Sequence, residues 1–487
     1  MSGYAMNAIS GTNEWLVMLP ELWVGLLALL LLALDLRWRD TRPARYGLIA
    51  ALGLLPVFPL LFWQAGLGPR EILGGMYRVD ALALFFKGIF AAAAILVILM
   101  TRELSHTLEK NHGEFVLLIL TALLGMLYTA SSANFLMLFV SLELIAITFY
   151  VLTSYLQTDI RSMEAGMKYL ILGSLSSGLF LYGIAFVYGA TGSTRFSEIQ
   201  AAAQAVPALP PGLLFGLILM LAGILFKVAG VPFQLWVPDV YQGAPTPVTA
   251  FLSVGSKSAG FLVAFRVLSE IFHPHTPQWS LIVAWVAGLT ILYGNLGAIP
   301  QRNMKRLLGY SSIGHAGYIL IGLAVSSQMG ASAVSFYLLG YLFSNLGVFL
   351  VLACFYRQTG SDEIRDYAGL AKRSPFLAAA MFIALLSLAG VPPLAGFMGK
   401  FLLLLAAVWE GYFWLAAIGA AAVVISLYYY LLIVKTMYAD EPADPSPILV
   451  SAPARLALLA CILAMLGIGL WQAPFLALSF AAVKSLF

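Results

Sequence analysis

The chain has 487 residues, of which 61% are hydrophobic and only 10% are charged, and its formal net charge is +4. Soluble domains carry about 25% charged residues, so this composition excludes a soluble globular protein and predicts an all-α polytopic membrane protein. The longest polar stretches, residues 357–374 and 439–451, have the length of loops, and no separate soluble domain is predicted.

Apolar segments recur along the chain, and each is long enough to cross a hydrocarbon core of about 30 Å as a helix. They predict 14 transmembrane helices, in chain order 15–36, 46–66, 80–101, 114–131, 134–156, 165–190, 212–239, 246–270, 280–300, 308–325, 331–356, 375–407, 413–438 and 455–478. The first segment is too long for a signal peptide, and basic residues follow it rather than precede it. We therefore interpret it as the first transmembrane helix, with its N-terminus outside.

The basic residues between the predicted helices lie mainly on one side of the membrane. With the N-terminus outside, the inner loops contain fifteen of them, Arg37, Arg39, Arg42, Arg45, Arg102, Lys110, Arg161, Arg302, Lys305, Arg306, Arg357, Arg365, Lys372, Arg373 and Arg455. The outer loops and tail contain four, Arg70, Arg78, Arg195 and Lys484. Cytoplasmic loops are enriched in Lys and Arg, so both chain ends are predicted to face outward.

The remaining basic residues fall within the predicted helices, where a charge costs roughly 2.5–3.5 kcal/mol at the helix centre. Lys227, Lys257 and Lys400 have apolar sequence on both sides, and Glu143 is the only acid predicted to lie deep in a span. Intramembrane charges usually mark an ion pathway or pair with one another. A functional role is therefore predicted for these four residues; the alternative is a structural ion pair such as Glu143 with Lys227.

Four other basic residues have simpler explanations. Arg266 and Lys435 lie close enough to a helix end to extend their charges to the surface, and Lys87 near the start of helix 3 is also predicted to be structural. Lys168 follows Glu164 by one helical turn, which is the spacing of a surface ion pair. From the residues alone, Lys168 is equally compatible with a structural and a functional role.

His315 is the only histidine predicted to lie inside the membrane, in "GYSSIGHAGY" (309–318). Ser311, Ser312 and Tyr318 lie near it in the same helix. An unperturbed histidine titrates near neutral pH, so a proton-relay position is the favoured interpretation, and a hydrogen-bonded core histidine is the alternative.

Helices 7 and 12 contain matching interruptions, "AGVPF" (229–233) and "AGVPP" (389–393). Pro232 and Pro392 each remove a backbone donor and clash with the preceding turn. Irregular backbone at membrane depth is tolerated where it is buried in protein or lines a wet cavity, and paired breaks in two halves indicate an internal, inverted repeat with the transport site at the breaks. Lys227 precedes its break, whereas Lys400 follows its own, an asymmetry that the sequence does not explain.

The cysteines and the remaining histidines form no recognisable motif. Cys354 and Cys461 occur singly in apolar helices, and the remaining histidines, His106, His112, His273 and His275, are predicted to lie on loop surfaces. The sequence contains no nucleotide-binding or metal-binding motif. Neither redox cofactors nor metals are predicted to be bound by this chain.

Three segments carry a resemblance to a known family: "KVAGVPFQLWVPDVYQGAPTPVTAFLSVGSKSAG", "YGNLGAIPQRNMKRLLGYSSIGHAGY" and "SLAGVPPLAGFMGKF". They resemble the antiporter-like membrane subunits of bacterial respiratory complex I, the proton-pumping NADH:quinone oxidoreductase, and within that family the subunit N branch. The resemblance implies 14 helices with two inverted five-helix repeats and broken helices 7 and 12. The implied divisions are helices 1–3 (1–113), a first repeat (114–270), a second repeat (280–439) and helix 14 (455–487).

The resemblance also implies roles for individual residues. Glu143 and Lys227 match the acid–lysine pair that modulates the pump, and Lys257 matches the central relay lysine. Lys400 matches the residue that links the path to the far side or to a neighbouring subunit, and Lys168 matches a helix-6 lysine of the subunit N branch. In one departure, Gln234 stands where many relatives have histidine, so a proton relay through this position is in doubt, although a glutamine could still order water.

The implied function is outward proton translocation in the bacterial inner membrane, driven by quinone reduction in sister subunits. NADH, FMN, iron–sulfur clusters and quinone would be bound by those subunits, and the implied partners are other complex I membrane subunits, further antiporter-like subunits and the lipid bilayer. Three alternatives stay open: a cation/proton antiporter or its subunit, a proton-pumping subunit of a ferredoxin- or hydrogen-linked complex, and a scaffold with inert ion pairs.

Overall fold

The computed structural model describes residues 14–38, 43–104 and 111–487. Within these ranges, 13 helices are long and apolar enough to cross a membrane, and two shorter apolar helices follow one another as the halves of one further span. The chain is therefore a multi-pass α-helical membrane protein. Four residues named above, Arg39, Arg42, His106 and Lys110, lie outside the described residues.

The membrane helices are numbered α1 to α14 in chain order. The first six are α1 (Leu19–Trp38), α2 (Pro43–Leu54, continued by Val57–Gly66), α3 (Ala81–Met100), α4 (His112–Ser131), α5 (Phe135–Thr153) and α6 (Ile160–Thr191). The next five are α7, divided into α7a (Pro211–Val228) and α7b (Trp236–Gly243), α8 (Thr246–Ile271), α9 (Thr276–Ala298), α10 (Met304–Val325) and α11 (Gln328–Thr359). The last three are α12, divided into α12a (Pro375–Ala389) and α12b (Ala395–Trp409), α13 (Phe413–Ala439) and α14 (Ala452–Leu470), and a shorter helix α15 (Gln472–Val483) follows.

Two small elements outside the spans were not predicted. Strands β1 (Arg70–Ile72) and β2 (Tyr77–Val79) form an antiparallel hairpin between α2 and α3, with Glu71 opposite Arg78. The helix Phe196–Gln204 lies between α6 and α7a and buries Phe196, Ile199 and Ala203. Their short lengths gave no transmembrane signal.

The three helices α8, α10 and α11 form the centre of the molecule. Their most apolar windows are 100%, 94% and 89% buried, whereas those of α1 and α13 are only 33% buried. α8 and α10 are also among the least hydrophobic spans. Because these central helices are surrounded by protein rather than lipid, they can hold polar side chains at membrane depth.

Helix α8 is irregular on both sides of Lys257. Two π-helical segments, Leu252–Ser256 and Phe265–Ile271, flank the α-helical segment Lys257–Ala264. Single π-turns within α-helices occur frequently at functional sites. Lys257 lies directly at the end of the first of them.

Helices 7 and 12 are interrupted at the predicted positions. α7a ends at Val228 and is followed by Ala229 with φ 67°, and α12a ends at Ala389 and is followed by Gly390 with φ 89°. Both breaks contain a cis peptide bond before a proline, Val231–Pro232 and Pro392–Pro393.

Two side chains form hydrogen bonds with backbone groups at the break in α7. Thr290 Oγ1 accepts a hydrogen bond of 3.0 Å from the Val231 amide. The Trp236 indole of α7b donates to the Phe226 carbonyl, at 3.1 Å. The interrupted backbone is thus held by specific hydrogen bonds.

Glu21, an acid in the first turn of α1 that was given no role from the sequence, is fully buried. Its carboxylate lies 2.6 Å from the ammonium of Lys87 on α3, which is also fully buried. Tyr77 donates to Glu21 at 3.0 Å and accepts from Lys87 at 2.9 Å. Lys87 therefore belongs to a buried ion pair, and its structural role stays a prediction.

Arg266 does not extend to the surface, as the sequence analysis expected, but is 1% exposed. Its guanidinium binds both oxygens of Asp80, at 2.7 and 2.9 Å, and one oxygen of Glu270, at 2.9 Å. Asp80 also caps α3 by accepting from the Ala83 amide. The ion pairs of Arg266 thus link the end of α8 to the start of α3.

Two of the four histidines predicted to lie on loop surfaces are buried. His112 begins α4 and is 1% exposed, and His275 is 5% exposed with Nε2 at 2.8 Å from the Ala203 carbonyl oxygen. In both cases packing against residues distant in the chain covers the ring, which a loop assignment cannot reveal.

Candidate functional site

Glu143 and Lys227 line one small cavity between α5, α6, α7a and α8. Ser176 and Ser177 of α6 line it as well, with Gly223, Gly260 and apolar side chains completing the wall. The space open to the centre of a water molecule is about 10 Å³. This is about the minimum that one water requires.

The two charges interact across this cavity without direct contact. The carboxylate of Glu143 lies close enough to the ammonium of Lys227 to act on it electrostatically. Yet among residues 14–38, 43–104 and 111–487, no ion pair within 4.0 Å joins them. The structural ion pair considered as an alternative is therefore not formed in this structure.

A glycine brings α8 close to Lys227. A Cβ atom on Gly260 would lie 2.9 Å from Val228 Cγ1 and 3.1 Å from Lys227 Cβ, so a larger residue would force α7a and α8 apart. Gly260 lies one turn after Lys257 on α8. The close packing therefore holds the Lys257 segment against the end of α7a.

Lys257 is 2% exposed and is held by α10. Its ammonium donates to the carbonyl oxygen of Ser312, at 2.7 Å, and to the Ser312 hydroxyl. The hydroxyls of Tyr241 on α7b and Tyr341 on α11 also contact Ser312 Oγ, at 3.2 and 3.0 Å. Three different helices thus meet at one serine.

His315 of α10 is buried, with 4% of it exposed. Its Nδ1 is hydrogen-bonded to the hydroxyl of Tyr337, and its Nε2 lies 3.3 Å from the hydroxyl of Tyr430. On the same helix, Ser312 binds Lys257, and the ring of Tyr318 lies 4.9 Å from the Lys400 ammonium. Along α10, His315 therefore lies between the residues that contact the two lysines.

Lys400 of α12b reaches back across its break. Its ammonium donates to the carbonyl of Ala389, the last residue of α12a, at 3.0 Å, and lies 4.9 Å from the ring centroid of Tyr318. Gly390 leaves room for it, since a Cβ there would lie 3.0 Å from Lys400 Cδ.

The position of Lys400 explains the asymmetry between the two breaks. Lys227 stands in the last turn of α7a, and the Lys400 ammonium sits at the last carbonyl of α12a. Lys227 is thus attached near the C-terminal end of the first half-helix of α7, and the Lys400 charge reaches the same end of the first half-helix of α12, where the helix dipole favours a cation.

Lys168 is 42% exposed and makes two ion pairs, to Glu164 at 2.7 Å and to Asp239 of α7b at 2.6 Å. Asp239 in turn binds Arg306 of α10 at 2.6 Å. Asp239 thus joins Lys168 of α6 to Arg306 of α10 through two ion pairs.

Asp239 was not predicted to pair with Lys168. From the sequence it was placed at the end of a helix over residues 212–239 and was given no role. The signal was present in "VPDVYQG", an acid directly after the break.

Gln234 lies in the break of α7 and is 4% exposed. Its Oε1 accepts no hydrogen bond from the described residues. Among those residues, no group of three or more His, Cys, Asp or Glu side chains is arranged to hold a metal ion.

Comparison with known proteins identifies the family. The model of the family described as "NADH:quinone oxidoreductase/Mrp antiporter, TM" matches residues 132–426. The chain belongs to this family. It is 42% identical to the NADH-quinone oxidoreductase subunit N of Moorella thermoacetica over 463 residues, which cover 94% of this chain and 95% of that protein.

Solved structures of antiporter-like subunits share the fold. A chain of respiratory complex I from Thermus thermophilus is 32% identical, with a TM-score of 0.80 over 94% of this chain and 98% of that chain. A chain of the Mrp complex from Dietzia sp. is 20% identical, with a TM-score of 0.87 over 97% of this chain and 98% of that chain, a likeness that concerns the fold alone.

Proposed function

We propose that this chain is a proton-translocating membrane subunit of an NADH:quinone oxidoreductase. The observation that carries the proposal is the group of buried polar side chains on α8, α10, α11 and α12b that includes Lys257, His315 and Lys400, each held by a hydrogen bond. The names of the relatives support NADH as the electron donor and quinone as the acceptor. The likeness to a chain of Thermus thermophilus complex I supports assembly with other membrane subunits, including further antiporter-like subunits.

Glu143 and Lys227 would control the entry of protons into this group of buried polar side chains. Burial disfavours a charged lysine, whereas an approaching carboxylate favours it. Movement of Glu143 toward Lys227 therefore holds a proton there, and withdrawal releases it. Their separation across a cavity leaves room for such movement.

The released proton would pass to Lys257 and then, through His315 and its tyrosine partners, to Lys400. Lys400 would deliver it to the far side or to a neighbouring subunit. Lys168, through Asp239 and Arg306, would set the charge at the α6–α7b–α10 junction. The breaks at Pro232 and Pro392 would give water access to the two half-helix ends.

Redox chemistry would take place elsewhere in the complex. NADH, FMN, iron–sulfur clusters and quinone belong to sister subunits in this proposal, and this chain makes and breaks no covalent bond. Its part is to move protons outward across a bacterial inner membrane.

The proposed architecture has two inverted repeats, residues 114–270 and 280–439, between the N-terminal helices (1–113) and the C-terminal helix (455–487). The two matching breaks, each following a left-handed residue, support the repeat. The excess of basic residues in the predicted inner loops supports termini on the outer side.

The test is NADH-driven proton uptake into inside-out membrane vesicles that contain the assembled complex. Lys257→Met is expected to lower the uptake by about 100-fold, the scale of a lost proton-transfer group. Lys435→Met is the matched control, since Lys435 is exposed on α13. Blue native electrophoresis of the same membranes checks assembly.

Undiminished uptake by assembled Lys257→Met complexes would contradict the proposal. Repeating the assay with Na⁺ replaced by K⁺ distinguishes a proton pump from a cation/proton antiporter. A proton pump keeps its NADH-driven uptake in either salt, whereas an exchanger requires its cation.

A further inference from the structure

Ser312 occupies an unusual place in this set of polar groups. It is 1% exposed, and three hydrogen-bonding groups converge on its single hydroxyl oxygen: the Lys257 ammonium, Tyr241 OH at 3.2 Å and Tyr341 OH at 3.0 Å. Its carbonyl oxygen accepts from the same ammonium at 2.7 Å. A serine that only satisfied Lys257 would not need the two tyrosines.

The capacity of a hydroxyl group restricts how these contacts can be arranged. Ser312 Oγ has one proton to donate and accepts two hydrogen bonds. A charged Lys257 is a donor only, so it takes one acceptor site. Tyr341 donates to the other, and the proton of Ser312 then points to Tyr241.

Loss of the proton from Lys257 changes this arrangement. The neutral amine has a lone pair and can accept the hydroxyl proton of Ser312. Both acceptor sites of Ser312 Oγ are then open to the tyrosines, so both tyrosine hydroxyls can donate to it. The charge on Lys257 therefore sets the direction in which one tyrosine hydroxyl donates.

The two tyrosines differ in their response to this change. Tyr341 donates to Ser312 whether Lys257 is charged or neutral, and its ring lies 5.1 Å from the His315 ring. Tyr241 accepts in one case and donates in the other, and it belongs to α7b, two residues after Asp239, which pairs with Lys168. Ser312 thus relates the charge on Lys257 to a hydroxyl group of α7b.

We propose that Ser312 is a positioning residue that converts the protonation state of Lys257 into the hydrogen-bond direction of Tyr241. It takes up no net proton itself. Through this hydroxyl, proton arrival at Lys257 reverses the hydrogen bond between α10 and α7b, the half-helix that follows the break. The inference rests on the proposed proton path.

The test compares Ser312→Ala, Ser312→Thr and Ser335→Ala in assembled complexes, with NADH-driven proton uptake measured from pH 6 to pH 9. Ser335 is a matched control, because it is buried and its hydroxyl donates only to the Ala331 carbonyl of its own helix, at 3.1 Å. Ser312→Ala is expected to lower the uptake about tenfold, the effect of one lost hydrogen bond. The alkaline limb of its profile moves to lower pH, since the ammonium has lost an acceptor.

Ser312→Thr keeps the hydroxyl and is expected to restore both the rate and the profile, and Ser335→Ala is expected to match wild type. A wild-type rate and profile in Ser312→Ala would overturn the inference, as would a Ser312→Thr complex that assembles but behaves like Ser312→Ala. Lys257→Met, assayed alongside, separates the two claims. If it abolishes uptake while Ser312→Ala does not, only the role of Ser312 fails; if it too retains uptake, the proposed path itself fails.

Discussion

The ammonium of Lys400 lies 3.0 Å from the carbonyl oxygen of Ala389, across the interruption that separates α12b from α12a. The side chain returns to the helix end that precedes it in sequence. This contact depends on Gly390, whose φ of 89° and missing side chain leave space beside Lys400.

Gly390→Ala is therefore expected to displace Lys400 and to destabilise the fold by about 1 kcal/mol, the cost of a left-handed conformation for a residue with a Cβ. Proton uptake should fall together with the thermal midpoint of the purified complex. Gly178→Ala on α6 is the control, because a Cβ there meets nothing within 4 Å. Equal behaviour of the two variants would contradict the role given to Gly390.

Removal of one member of the Lys87–Glu21 pair should be more harmful than removal of both. Each side chain is fully buried, and an unpaired buried charge costs about 3–5 kcal/mol, whereas apolar replacement of a whole pair is often neutral. Lys87→Met and Glu21→Leu should each reduce the amount of assembled complex, and the double variant should recover it. Recovered complexes that fail to pump would instead give the pair a functional role.

The Asp239 carboxylate joins Lys168 of α6 to Arg306 of α10, at 2.6 Å from each. Asp239→Asn removes both ion pairs and is expected to destabilise the protein. Because the group is 35% exposed, solvent screening keeps the loss to about 0–1 kcal/mol for each pair.

Thermal midpoints in detergent at pH 7 provide the measurement. Asp239→Asn should melt below wild type and below Glu164→Gln, because Glu164 is 59% exposed and pairs with Lys168 alone. Equal midpoints for the two variants would contradict the linking role of Asp239.

Glu143→Gln keeps the size of the side chain and removes its charge from the cavity shared with Lys227. Uptake is expected to fall about tenfold or more, because the glutamine can no longer hold a proton on Lys227 by electrostatic attraction. Glu198→Gln, which changes an exposed acid between α6 and α7a, is expected to leave uptake unchanged. Unchanged uptake in assembled Glu143→Gln would make Glu143 structural.

The sequence predicted the membrane helices and both breaks because these depend on local composition, such as the apolar run before Lys227 and the proline after it. Glu21 was overlooked because its burial depends on Tyr77 and Lys87, more than fifty residues away. The position of the Lys400 ammonium could not be predicted for a similar reason. Lys400 follows the break in sequence, but its long side chain extends back to the helix end before the break. Asp239 differs from Glu21 and Lys400, because its position directly after the break can be seen in the sequence.

The narrow cavity beside Glu143 and Lys227 also bears on how a gradient is kept once it has been built. A continuous file of water would let protons run back through the subunit whenever the donor supply stops. A space of about 10 Å³ accommodates about one water, which is too few to form such a file. If protons enter at this cavity as proposed, the cavity in this conformation is too small to hold the water file by which they could return.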